Sequence, residues 1–322
     1  METESGRNQT YTLVTGATGF IGQELIKIDH PFICVTRNKW DKMGARTFQV
    51  KSINEHTNWK GAFKSVDSII HLAGLAHNKK FTEEDYLSVN INGTLKLANE
   101  ASKAGVRRFI FVSSIAVNGA TSGEIPFTPN SVTNPNTHFA TSKLTAEKGL
   151  IKIAEETGLE VVIVRPPLVY GKKGPGNFGK LIKIIERIPI MPFKLVDNKR
   201  SLIYIKNLSD LLITCVKEKK AANSILLPCD RSSISTGSLI SKIAQLSGNS
   251  MLQLPVPPTL LKLAFFLMNK KEMGHQLLDN LEINSSHIEE KLNWHPPFTT
   301  ESALRETFQS RRQESSPSHA KG

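Results

Sequence analysis

Residues 15–22 read TGATGFIG and follow directly on Tyr11–Thr15, a short run rich in apolar and β-branched side chains. Gly16, Gly19 and Gly22 in this position constrain the chain more than any other feature. The first glycine permits a tight turn, the second lets backbone approach a pyrophosphate, and the third lets a helix pack closely on the preceding strand. The apolar spacing of Ile21, Leu25 and Ile28 predicts that helix. A strand, a glycine turn and a helix in this order aim backbone N–H groups and the helix dipole at phosphate oxygens. They also commit the chain to a parallel sheet, because the next strand must return on the same side.

The rest of the first half agrees. Strands are expected at Tyr11–Thr15, Phe32–Thr36, Ser68–Leu72, Arg108–Ser113 and Glu160–Val164. Between them, 83–104 and 141–157 carry apolar residues at helical spacing and end near Gly105 and Gly158. This alternation predicts an α/β fold, a Rossmann-like doubly wound parallel sheet over residues 1–170. After Tyr170 the pattern loosens, predicting a smaller, mainly helical substrate lobe over 171–308. The segment 309–322, QSRRQESSPSHAKG, is expected to be disordered.

Lys and Arg number 41 against 29 Asp and Glu, a net charge of +12 that favours anionic ligands. The basic residues are scattered in pairs such as Arg107-Arg108 and Lys172-Lys173, without interleaved aromatics, so phosphorylated small molecules explain the charge better than nucleic acid. Cys34, Cys215 and Cys229 lack C-x-x-C or metal-ligand spacing and are expected to be reduced thiols; no metal site is expected. The polar opening METESGRNQT and the lack of a spanning segment predict a cytoplasmic protein. Leu260–Met268 is expected to be a packed surface helix, with membrane contact through Phe265, Phe266, Lys270 and Lys271 the alternative.

About 20 residues past the glycine turn, an Asp or Glu selects NAD and an Arg accommodates the 2′-phosphate of NADP. The chain has Val35-Thr36-Arg37-Asn38, so Arg37 favours NADP(H) and leaves NAD(H) open. His71, in a buried apolar run, is expected to be a satisfied core histidine. Asn90, within a helix, is expected to bond neighbouring backbone.

Further landmarks follow the glycine turn in order: HLAG at 71–74, VNINGT at 89–94, FVSS at 111–114, FATSK at 139–143 and RPPLVYG at 165–171. Together they resemble the extended short-chain dehydrogenase/reductase superfamily, the NAD-dependent epimerase/dehydratases acting on nucleotide sugars. VVIVRPPLVYG, NKRSLIYIKNLSDLL, LPVPPTLLKLA and EEKLNWHPP resemble most the UDP-N-acetylquinovosamine dehydrogenases of surface-polysaccharide and O-antigen synthesis. UDP-hexose 4-epimerases share much of that framework.

The resemblance implies a cofactor site at Gly16, Thr18, Gly19, Phe20, Ile21, Gly22, Arg37, Leu72, Ala73, Gly74, Asn90, Ser113, Lys143, Pro166 and Val169. It implies a UDP-sugar site at Val117, Asn118, Asn177, Phe178 and Arg200. A homodimer pairing through the helices at 83–104 and 141–157 is left open. A second substrate arginine expected in epimerases has no match among His275–Ile283. The family works with Ser or Thr, Tyr and Lys as a unit, and the corresponding residues are Ser114, Phe139 and Lys143. Phe139 and Lys143 share a helix face, but a phenyl ring has no proton to give. His138 points about 100° away from that face. Three readings stay open: a reductase of a UDP-4-keto-6-deoxy-N-acetylhexosamine slowed by Phe139 with a water between Ser114 and Lys143 as shuttle, a UDP-hexose 4-epimerase, and a nucleotide-binding protein without catalysis.

Overall fold

A computed structural model describes residues 9–40, 46–76, 80–172, 174 and 176–315, with only the backbone described at 177 and 310–315. Its centre is a seven-stranded, all-parallel sheet in the order β10-β6-β5-β4-β1-β2-β3. The strands are β1 (Tyr11–Thr15), β2 (Phe32–Thr36), β3 (Arg46–Gln49), β4 (Val66–His71), β5 (Arg108–Val112), β6 (Glu160–Val164) and β10 (Ser224–Leu226). Strand order reverses between β1 and β4, and the C-terminal ends of the strands at this switch point bound a crevice, the place where open α/β sheets bind ligands. Both sheet faces are covered. One packs on α1 (Phe20–Leu25) and α6 (Ile205–Lys217), around Val14, Ile70, Ile110, Leu208 and Leu211. The other packs on α3 (Thr94–Lys103) and α4 (His138–Thr157), around Ile69, Phe109, Leu97 and Leu150. Burial on two faces is why these strands read as unbroken apolar runs rather than alternating ones.

β3 was invisible to the apolar pattern because it is a short edge strand, RTFQ, with three of its four residues exposed. The helix expected over 83–104 is interrupted. The first turn is α2 (Glu83–Tyr86), opened by a capping box in which Thr82 and Asp85 bond each other's backbone N–H. A π-helical stretch then runs from Leu87 to Gly93 before α3 resumes at Thr94. Two local demands meet there. Gly93 lies against Ile53 so closely that an added Cβ would come within 2.9 Å of the Ile53 carbonyl carbon. The Asn90 side chain turns inward to bond the backbone of Leu75. π turns are often found where a side chain is aimed at a site.

The boundary expected at Tyr170 does not divide the molecule. α6 and β10 lie beyond it, and β10 pairs with β6 as the outermost strand of the central sheet. The remaining elements form the second lobe around Tyr170, Phe178, Tyr204 and Ile240. They are β7 (Leu168–Tyr170) paired with β9 (Leu202–Tyr204), β8 (Ile190–Met191) paired with β11 (Leu252–Gln253), α5 (Gly176–Ile185), α7 (Thr236–Ser247), α8 (Pro258–Leu267), α9 (Lys271–Leu278) and α11 (Thr300–Ser315), whereas α10 (Ser286–Leu292) returns to the central sheet, where Ile288 and Leu292 join the core beside α6. The tail expected to be disordered from Gln309 is helical through Ser315, because Ala303, Leu304 and Phe308 anchor α11 in that lobe's core. Residues 316–322 lie outside the described ones.

Candidate active site

The glycine turn has the shape its spacing predicts. Gly16 adopts φ +74°, which L side chains rarely do, and a Cβ there would sit 2.7 Å from the Ala73 nitrogen. A Cβ on Gly22 would lie 2.3 Å from the Gly16 carbonyl oxygen, so the third glycine is fixed by helix-to-turn packing. Gly19 meets only that same carbonyl, at 3.1 Å, and Thr18 and Gly19 are exposed. The turn is therefore closed on the protein side and open on the crevice side, where a pyrophosphate fits. α1 is shorter than the expected helix and ends at Leu25, while Phe20 packs towards the second lobe. Arg37 is exposed immediately after β2, and its carbonyl accepts from Gln49 Nε2.

Beneath the turn lies a buried polar chain. Thr15 Oγ1 is 2.7 Å from His71 Nδ1, and His71 Nε2 is 2.9 Å from Thr94 Oγ1, whose hydroxyl donates to the Asn90 carbonyl. Asn90 accepts from the Leu75 N–H and donates to the Leu75 carbonyl and to Ser142 Oγ on α4. His71 is thus the satisfied core histidine the sequence predicts, and Asn90 holds the loop after β4. Gly74 lies in that loop, and a Cβ on it would come within 3.0 Å of Asn90 Oδ1 and 3.4 Å of Lys143 Nζ. The loop is exposed at Gly74, so a ligand crossing the sheet would meet Leu72, Ala73 and Gly74 without side-chain obstruction.

Burial pushes the His71 imidazole down to about 3, and the charge of Lys143 pushes the same way. Because the ordinary value is 6.5, the unfolded chain binds more protons than the folded one between pH 6.5 and 3. Stability from this group is therefore complete above pH 6.5 and is lost as pH falls towards 3. From pH 7 to pH 4 the loss amounts to about 3 kcal/mol. Urea titrations of the parent chain and of His71→Leu at both pH values isolate it. An equal acid loss in the variant would place the titrating group elsewhere.

Lys143 and Phe139 stand one turn apart on α4, which Thr137 caps through its side chain. Lys143 is buried, donates to the Val112 carbonyl at 3.0 Å and lies 4.6 Å from the centre of the Phe111 ring. Burial lowers its ammonium to about 8, while the Glu147 carboxylate one turn on opposes that shift. Phe139 is half-buried, with its ring edge-on to Tyr86 at 6.4 Å between centroids. Ser114 is half-buried two residues past Val112, and its side chain accepts from the Ala116 N–H to start a single 3₁₀ turn. The neighbouring Ser113 Oγ is buried without a hydrogen-bond partner among the described residues, an acceptor and donor left for a ligand. Pro166 accepts from the Ile115 N–H, which ties the loop after β6 to the serine loop, and Val169 is half-buried between the two lobes.

The expected substrate residues divide. Arg200 is half-buried and lowered to about 10 by burial, and its guanidinium donates to the Asp279 carbonyl at 3.3 Å as its one hydrogen-bond partner among the described residues. A guanidinium with one neutral partner retains donors for a diphosphate. Val117 and Asn118, by contrast, are buried and offer no surface to a sugar. Asn118 accepts from Arg165 Nη1 and donates to the Ser131 carbonyl, so its amide is committed inward. Phe178 is buried as well, 5.4 Å from the Tyr170 ring: its apolar bulk closes the second lobe's core. Asn177 lies in the first turn of α5, with its side chain outside the described residues.

The sequence reading missed the buried Arg165–Glu147 pair, 2.6 Å apart, which joins the RPPLVYG loop to α4 just below Lys143. A lone Glu on an apolar helix face was its only signal. It also missed Asp230, which accepts from Tyr170, Asn207 and the Tyr204 N–H under the inter-lobe crevice.

The model of the NAD dependent epimerase/dehydratase family matches residues 12–226. A UDP-glucose 4-epimerase of Vibrio cholerae is 36% identical over 308 residues, 92% of this chain and 94% of the relative. An Escherichia coli O157:H7 N-acetyl-α-D-glucosaminyl-diphospho-ditrans,octacis-undecaprenol 4-epimerase is 24% identical over 72% of the chain and 71% of the relative. Among solved structures, the UDP-glucose 4-epimerase of Thermotoga maritima with UDP-glucose aligns at TM-score 0.74 and 20% identity, covering 95% of this chain and 99% of that one. The UDP-glucuronic acid 4-epimerase of Bacillus cereus in complex with NAD aligns at 0.75 and 19%, with the same coverage. The family match over residues 12–226 and the Vibrio cholerae relative similar over nearly the whole chain place the protein in the NAD dependent epimerase/dehydratase family of extended short-chain dehydrogenases/reductases.

Proposed function

We propose that the protein is an NAD(P)-dependent oxidoreductase of UDP-linked sugars that reduces a 4-keto-6-deoxy-N-acetylhexosamine at C4 for surface-polysaccharide synthesis. The observation that carries the reading is Lys143, an ammonium lowered to about 8 and held by the Val112 carbonyl beside Ser114. The residues present suit a dinucleotide: the turn held by Gly16 and Gly22 would take the pyrophosphate on its open side at Gly19, the Gly74 loop and Lys143 would hold the nicotinamide ribose, and Arg37 a 2′-phosphate if the cofactor is NADP(H). When bound, its nicotinamide supplies the hydride donor or acceptor.

The chain's own residues do the rest. Ser114 Oγ donates to the sugar carbonyl oxygen and orients it. Lys143, with a pKa near working pH, feeds a proton through a water held between it and Ser114. The Phe139 ring keeps bulk solvent from this water and contributes no proton. Arg200 binds the diphosphate with its uncommitted donors.

The UDP-hexose 4-epimerase reading is favoured by the Vibrio cholerae relative, similar over nearly its whole length. An epimerase retains its oxidised cofactor and consumes none. The test supplies freshly generated UDP-4-keto-6-deoxy-N-acetylglucosamine with NADPH or NADH. Stoichiometric cofactor oxidation is expected. Interconversion of UDP-glucose and UDP-galactose by protein purified with bound NAD, and no oxidation with the ketosugar, would overturn the reductase reading in favour of the epimerase.

A further inference from the structure

The stretch Leu260–Met268 forms the helix the sequence predicts, but only one side of it is packed. Leu261 is buried, and Phe265 lies against Gly274 of α9, where an added Cβ would be 3.1 Å from the Phe265 Cβ. At about 100° per residue, Leu260, Leu263, Phe266 and Leu267 fall on the opposite arc. They are 56%, 53%, 54% and 74% exposed, and Met268 and Met273 extend the patch. At about 100 Å² per half-exposed side chain the six residues make a patch of about 600 Å², in the range that marks interaction surfaces.

Charge selects the occupant. From Pro255 to Met273, the span of the patch, the charged residues are Lys262, Lys270, Lys271 and a single acid, Glu272, a net charge of +2. Lys262, exposed at the flank of the helix, is paired with Asp279 at 2.8 Å. Lys271 Nζ lies 4.3 Å over the centre of the exposed Phe266 ring, so an ammonium stands at the rim of the apolar face, with Lys270 beside it. We propose that α8 docks the protein on a bilayer surface rich in anionic lipid, with the apolar stripe in the boundary between headgroups and acyl chains and Lys270 and Lys271 on headgroup phosphates. A second copy is a poorer occupant, because it would bring the same lysines to the contact and the patch falls short of the ~800 Å² per partner of a stable interface. No helix among the described residues is long and apolar enough to cross a membrane, so the contact lies in the plane of the interface.

Sedimentation of the full chain with vesicles tests this. Binding is expected to vesicles of phosphatidylcholine mixed with phosphatidylglycerol, and little to phosphatidylcholine alone. Lys270→Gln with Lys271→Gln, two exposed polar changes compatible with the fold, is expected to weaken binding about 30-fold. Leu263→Gln with Phe266→Gln is expected to weaken it by at least about tenfold while NADH binding is retained. The proposal is overturned if the parent chain binds neither vesicle, or if binding survives both pairs of substitutions. It is equally overturned if the apolar pair instead abolishes self-association seen by sedimentation velocity without lipid.

Discussion

Phe139→Tyr is expected to raise kcat on the ketosugar by about 10²- to 10⁴-fold, the usual worth of a positioned general acid. The change adds one oxygen to a ring already in place, half-buried, edge-on to Tyr86 and one helical turn from Lys143. The new hydroxyl would share a helix face with an ammonium, which lowers a phenol's pKa and readies it to give its proton to a carbonyl. KM is expected to change far less than kcat, because the gain arises only in the transition state. Steady-state kinetics of both forms with the same cofactor decide the matter. Equal rates in the two forms would mean that position 139 does not face the reacting carbon, and the water relay between Ser114 and Lys143 would lose its motivation.

Glu147→Gln is expected to destabilise the fold by about 3–5 kcal/mol, because it leaves the Arg165 guanidinium buried with no opposite charge. Arg165 and Glu147 are both buried, bonded at 2.6 Å, and Asn118 is the guanidinium's further partner. A double replacement, Glu147→Leu with Arg165→Leu, is expected to recover most of that loss, since removing both charges removes the desolvation cost as well. Urea midpoints of the three variants against the parent measure it. If the double variant is no better than Glu147→Gln, the pair's value lies in its hydrogen bonds to Asn118 and the surrounding loop rather than in charge compensation. Glu147 also raises the Lys143 pKa against burial. Any folded Glu147→Gln protein should therefore show its Lys143-linked activity step at lower pH than the parent.

Much of the central sheet was legible because it is buried on both faces. β1, β2 and β6 have the bounds read from their apolar runs, and β4 and β5 differ by only one or two residues. β3 and the strand pairs of the second lobe were not legible, since short edge strands carry no pattern that distinguishes them from loops. The interruption between α2 and α3 was hidden for another reason. Apolar spacing from Leu87 to Ala98 fits an unbroken α-helix, and only the inward demand of Asn90 and the contact of Gly93 with Ile53 produce the π turn.

The sequence by itself determined the glycine turn and the order of strands and helices that follows it, because both are written in local spacing, whereas Ser114, Phe139 and Lys143 were singled out by the resemblance their motifs carry. Tertiary structure alone decided which neighbours those residues keep. It sent Val117, Asn118 and Phe178 into the interior, paired Arg165 with Glu147, returned β10 to the sheet from beyond the expected boundary, and left one face of α8 open. Burial and charge pairing between residues distant in sequence are properties of the packed chain, and no local period encodes them.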